Sequence, residues 1–168
     1  MARALIVGCG CRGRALGGRL LEEGWAVRGT SRTEQGVEQI EAAGIEGALA
    51  DPGLPATILD LVGDVAVVCW LLGSAQGAAE DVADLHGEKL AHLLRRLVDT
   101  PVRGFAYEAT GAAPGADLRR GADAVLAAGS TWRIPTALVE TDPGDREAWL
   151  ERAAAAATEL VSGATGVY

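Results

Sequence analysis

The stretch Arg3–Arg32, RALIVGCGCRGRALGGRLLEEGWAVRGTSR, decides the fold. Ala4-Leu5-Ile6-Val7 is a short unbroken apolar run, the pattern of a parallel strand buried on both faces. Gly8-Cys9-Gly10-Cys11-Arg12-Gly13 follows and fits G-x-G-x-x-G. In such a turn Gly8 permits the sharp reversal and Gly10 lets a pyrophosphate approach the backbone. Gly13 lets the following helix lie close to the strand. The helix expected from about Arg12 would aim free N–H groups and a positive dipole end at phosphates. A second strand is expected at Ala26–Thr30, so the motif has the strand–turn–helix–strand setting that gives it meaning.

The end of the second strand bears on which nucleotide would fit. An NAD site carries Asp or Glu about 20 residues after the first glycine, to accept from the ribose hydroxyls. Gly29-Thr30-Ser31-Arg32 stands there, with no acid. A carboxylate would repel a 2′-phosphate, whereas two hydroxyls and an arginine donate to it. Arg12 is expected to reach the same phosphate. NADP(H) is therefore favoured over NAD(H).

Outward from this unit the pattern continues. Helices are expected at about 34–43 and 54–62, with a third strand near Gly47–Ala50 between them. Val65–Trp70 is a buried strand, and a long helix is expected over about 78–99. Val102–Tyr107 reads as a fifth strand. Another helix stops at Gly129, and extended pieces at Trp132–Ile134 and Ala137–Val139 are split by Pro135, the mark of an edge or a bend. Trp149, Ala153, Ala156 and Leu160 line one face of a final helix, and the tail Ser162–Tyr168 is expected to fray. Strands alternating with helices make one α/β domain over residues 1–168, a doubly wound parallel sheet with helices on both faces, the Rossmann fold. The expected strand order is 3-2-1-4-5-6, with the ligand where that order reverses.

Composition sets the class. The chain has 168 residues, 49% hydrophobic and 23% charged, as in a soluble globular protein with a substantial core. A net charge of −8 argues against nucleic acid as a partner. No apolar run is long enough to cross a membrane, and the first strand begins too early for a signal peptide. Three cysteines, an odd number, fit a reducing compartment. A cytoplasmic protein is expected.

Six stretches in order resemble short-chain dehydrogenase/reductase proteins of the extended or atypical, NAD-dependent epimerase/dehydratase-like type. They are GCGCRG, VRGTSR, LADP, DVAVVCWLLG, FAYEATG and STWRIP, spanning about residues 3–142. The resemblance implies that Asp51, beside Pro52, meets the adenine amino group. It implies that Cys69, Trp70 and Leu71 line the riboses, and Leu72 falls in the same loop. Thr110 falls in the slot of the family's hydroxyl residue, and Pro135 where backbone flanks the nicotinamide.

Two departures stand out. Family enzymes use a Tyr-x-x-x-Lys pair, whose spacing puts both side chains on one helical face. This chain has only Tyr107, Tyr168 and one lysine, Lys89, before the fifth strand. The nearest register puts Ala116 and Arg120 in those slots; alanine cannot transfer a proton, while arginine stays charged and can contact ribose or phosphate. Extended members also carry a substrate-binding portion after strand six, and here 26 residues follow Asp142. The nicotinamide face is then open, or closed by a second subunit in a homodimer.

These departures leave two readings. One is a cofactor-binding or regulatory protein. The other is an NADP(H)-dependent reductase or epimerase-like enzyme for a small carbonyl or sugar nucleotide, with Thr110, Glu108 or Tyr107 handling the proton. Tyr107 reads more readily as a core aromatic, and Glu108 as a residue that faces solvent or pairs with an arginine. Cys9, Cys11 and Cys69 are expected near one another as space-filling residues, with Cys11 at a helix start the candidate reactive thiol. His86 and His92 are expected on or near a helix surface, and no metal site is expected.

Overall fold

The computed structural model describes residues 2–162. Strand β1 (Arg3–Val7) leads through the glycine turn into helix α1 (Cys11–Glu22) and then β2 (Ala26–Ser31). Next come α2 (Glu34–Ala42), β3 (Glu46–Leu49), α3 (Pro55–Leu59) and β4 (Val67–Trp70). The chain continues through α4 (Ala79–Leu85), α5 (Glu88–Leu97), β5 (Gly104–Glu108), α6 (Gly115–Trp132), β6 (Thr136–Val139) and α7 (Arg146–Ser162). The six strands are parallel in the expected order β3-β2-β1-β4-β5-β6. Pro135 precedes an edge strand, as a residue without an N–H should. The expectation of a frayed tail falls mostly on residues 163–168, outside the described residues.

Period-two alternation divides the core. In β1, Ala4 and Ile6 join Leu16, Leu20, Val27 and Trp149 on one face. Leu5 and Val7 join Trp70, Leu90, Leu93 and Phe105 on the other. Helices α1, α2 and α7 cover the first face, and α3, α5 and α6 the second. The alanines of α7 let it lie close to the sheet: Ala153, Ala154, Ala156 and Ala157 are all buried.

Three elements depart from the pattern reading. The helix expected over about 78–99 is two helices, broken at His86 and Gly87. Val82 and Leu90 keep helical spacing across the break and mask it, while the five-residue step from Leu85 to Leu90 is where the register slips. The second departure is in α6, which runs past Gly129 to Trp132 and ends at Arg133 in the left-handed conformation, φ 56°. Trp132 is therefore helical. Gly129 serves close packing, because a Cβ there would stand 3.0 Å from the Ile134 carbonyl and from Thr136 Cγ2. The third is α3, shorter than expected at five residues.

A tight contact in the second layer gives a stability prediction. A Cβ at Gly121 of α6 would overlap the Tyr107 hydroxyl. Gly121→Ala should lower the unfolding free energy by about 1–3 kcal/mol, the usual cost of overpacking. Urea unfolding of the two proteins measures it.

Candidate functional site

A cleft of about 590 Å³ opens at the carboxyl ends of β1 and β4, the point where the strand order reverses. Its floor is the glycine turn. Gly8 has φ +85°, and a Cβ there would strike the Leu71 carbonyl, so only glycine brings the turn this close to the β4 loop. A Cβ at Gly13 would sit 3.0 Å from the Gly8 carbonyl and 3.2 Å from Ile6 Cγ2, which sets the close passage of α1 over β1. Gly10 differs. Its backbone conformation is ordinary, and nothing lies within 4 Å of a Cβ placed there. Internal packing does not require glycine at this position, and its free space is in the cleft lining. Among the described residues no side chain caps α1, and its first turn holds no acid. Its first turn, Cys11 to Arg14, lines the cleft, where the unpaired N–H groups of a helix start carry its positive end.

The side of the cleft at the end of β2 carries polar residues. Thr30, Ser31 and Arg32 line it, together with Pro52, Leu71 and Leu72. The remaining turn residues Cys9, Cys11 and Arg12 line it as well. Thr33, Gln35, Gly36 and Gln39 add a wall that pattern reading missed. Thr33 caps α2 by accepting from the Gly36 N–H at 3.0 Å. A threonine three residues before that glycine, at the start of an apolar-periodic stretch, was the available signal.

Several expected site residues are elsewhere. Trp70 is absent from the cleft lining: the alternation of β4 turns it into the second core layer, where its ring lies 6.2 Å from Phe105 and its Nε1–H donates to the Leu85 carbonyl. Cys69 is buried in the opposite layer. Asp51 does not line the cleft either; its Oδ1 accepts from the Gly53 N–H at 2.8 Å, closing a local turn. Pro135 stands at the amino end of the sheet, its carbonyl accepting from Phe105, and so lies away from the cleft at the carboxyl ends. Arg120 donates to the Ala83 carbonyl and pairs with Asp117, which spends it on α4 and α6.

The three expected proton-handling residues are all engaged. Thr110 donates to the Thr141 carbonyl at 3.0 Å. Tyr107 is fully buried, with its hydroxyl 2.7 Å from His86 Nδ1. His86 is itself buried, contrary to the surface expectation, because the break between α4 and α5 turns it inward. Its Nε2 lies 3.1 Å from the Leu72 carbonyl, which can only accept, so Nε2 carries the proton. Nδ1 then accepts from Tyr107, whose hydroxyl also lies 3.3 Å from the Leu118 carbonyl as a second acceptor. Burial pushes the Tyr107 hydroxyl up, away from any acid role near neutral pH.

Glu108 is fully buried and held by donors from three elements. Its Oε1 accepts from the Gly73 N–H at 2.9 Å. Its Oε2 accepts from Trp149 Nε1 at 3.0 Å and from Arg12 Nη2 at 3.2 Å. Arg12 also donates to Ser74 Oγ and lies 5.6 Å over the Trp149 ring. Arg12 is thus drawn toward Glu108, not toward the Arg32 side of the cleft.

Burial pushes the thiols of Cys9 and Cys69 up to about 12, so neither is a nucleophile near neutral pH. Cys11 is exposed, 3.8 Å from Arg146 Nη2. Among the described residues no three His, Cys, Asp or Glu side chains are placed to hold a metal. No described helix is long and apolar enough to cross a membrane.

No protein-family model and no curated protein matches the chain. Solved structures do. UDP-glucuronic acid 4-epimerase from Bacillus cereus, in complex with NAD, superposes with a TM-score of 0.69 at 15% identity, over 83% of this chain and 56% of that one. UDP-glucose 4-epimerase from Thermotoga maritima, with UDP-glucose, gives 0.67 at 11% identity, over 81% and 54%. Triphenylmethane reductase from Citrobacter sp. gives 0.65 at 16%, over 84% and 49%, and has also been solved with NADP(H). The chain spans about half the length of these proteins. The fold is theirs, the doubly wound Rossmann fold expected from the motifs.

The His86 environment predicts a pH dependence. Burial lowers its pKa below the usual value of about 6.5. Between those values the unfolded chain takes up a proton that the folded protein refuses, so stability falls as pH falls. The urea midpoint should drop from about pH 7.5 to about pH 5.5, and the drop should be smaller in His86→Gln. Equal drops in both proteins would remove His86 as the source.

Proposed function

We propose that this protein binds a nicotinamide dinucleotide in the cleft and that it prefers NADP(H). The observation that carries the reading is the glycine turn. Gly8 and Gly13 are required by packing, while the open space at Gly10 lies where a pyrophosphate must come close. The uncapped start of α1 would donate to the phosphates. Thr30, Ser31 and Arg32 line the side where a 2′-phosphate would sit, with no acid among them. Similarity of fold to proteins solved with NAD and with NADP(H) supports the cofactor class.

A cofactor-binding or regulatory role is the better supported of the two readings, because Tyr107, Glu108 and Thr110 all have their polar atoms occupied by the protein's own groups. The alternative is an NADP(H)-dependent reductase or epimerase-like enzyme for a small carbonyl or a sugar nucleotide. It is favoured by the epimerase and reductase neighbours. In that case the bound cofactor supplies the hydride, and this chain orients it.

Calorimetric titration with NADPH and NADH in parallel tests the proposal. NADPH should bind more tightly. Arg32→Asp should weaken NADPH about 10–100-fold more than NADH, the range for a lost charge-assisted hydrogen bond plus a repulsion. Equal losses for both cofactors would end the 2′-phosphate assignment. Gly10→Val fills the open space and should abolish binding of either; retained binding would make the turn structural only.

A further inference from the structure

We propose that Glu108 is a positioning residue for the dinucleotide site, acting through Arg12 and the loop after β4. The inference rests on the dinucleotide-binding reading. Glu108 does not line the cleft, yet two groups that shape the cleft end on its carboxylate. The Gly73 N–H, beside Leu72 and Ser74 of the cleft wall, donates to Oε1. Arg12, in the glycine turn, donates to Oε2 and also to Ser74. Ser74 Oγ in turn accepts from the Ala112 N–H. One buried charge therefore sets the gap between the phosphate turn of β1 and the facing loop of β4. Trp149 completes it from behind: its Nε1–H donates to the same oxygen as Arg12, and its ring covers the guanidinium. The cost of burying a carboxylate is met by these three donors. Arg12 Nε is buried without a partner, a further sign that the guanidinium is placed for Glu108 and Ser74 rather than for its own full satisfaction.

The sign of one mutation separates this from ordinary electrostatics. A negative charge near an anionic ligand opposes binding, so its removal should tighten NADPH if charge were all that mattered. Positioning requires the reverse. Glu108→Gln keeps an oxygen for Gly73, but the amide nitrogen that replaces Oε2 only donates and can accept from neither Arg12 nor Trp149. NADPH affinity, by calorimetry on the folded variant, should fall about 10-fold or more. Unchanged or tighter binding overturns the proposal.

Should Glu108→Gln fail to fold, Trp149→Phe decides. It keeps an aromatic ring at the site, removes the Nε1 donor together with the pyrrole part of the buried indole, and changes a side chain outside the cleft lining. Severalfold weaker NADPH binding supports the proposal; a loss of thermal stability with unchanged affinity overturns it. Wild-type protein that binds no NADPH would instead overturn the dinucleotide reading, and this inference with it.

Discussion

Strands β1 and β4 lie side by side with both faces covered, Ala4 opposite Val67 and Val7 opposite Trp70. Every residue of β4 is buried, as are Ala4 to Val7. Strands of this kind leave no room for polar function along their length, because an unpaired buried polar group costs more than packing returns. Polar chemistry is driven to the carboxyl ends, where parallel strands release their chains into loops. The reversal of strand order between β1 and β4 then parts two of those loops, and the cleft is the result.

The cleft's shape follows from how closely backbone can approach backbone. Gly8 against Leu71 and Gly13 against Gly8 hold the turn between β1 and β4. Beneath it lies Glu108, a charge in a layer otherwise apolar, tolerated because α1, the β4 loop and α7 each bring a donor. The same principle explains His86 and Tyr107 in the other layer. Each satisfies the other, and the Leu72 carbonyl takes the remaining histidine proton. These two polar clusters, one per layer, both touch the β4 loop that walls the cleft.

Much of this was legible from residues near one another in the chain. The apolar run of β1, the glycine spacing and the hydroxyl-rich end of β2 act over a few residues, and their consequences are local. Strand order followed from alternation of strands and helices. The break at His86 was hidden because Val82 and Leu90, eight residues apart, keep a helical register across it, although the five-residue step from Leu85 to Leu90 departs from that register. The extension of α6 through Gly129 was hidden because glycine marks both helix stops and close packing.

By itself, the sequence determined the strand–turn–helix that builds the phosphate-type turn and the absence of an acid after β2, since both depend on neighbours along the chain. Only the tertiary structure decided what Tyr107, Glu108, Trp70 and Arg12 do. Tyr107 and Glu108 are adjacent on β5 and so point to opposite faces, one toward His86 of the α4–α5 break and the other toward Trp149 of α7. Those partners lie 21 and 41 residues away in the chain. Where a polar side chain ends is settled by which distant donors the packed layers bring to it, and no local pattern carries that information.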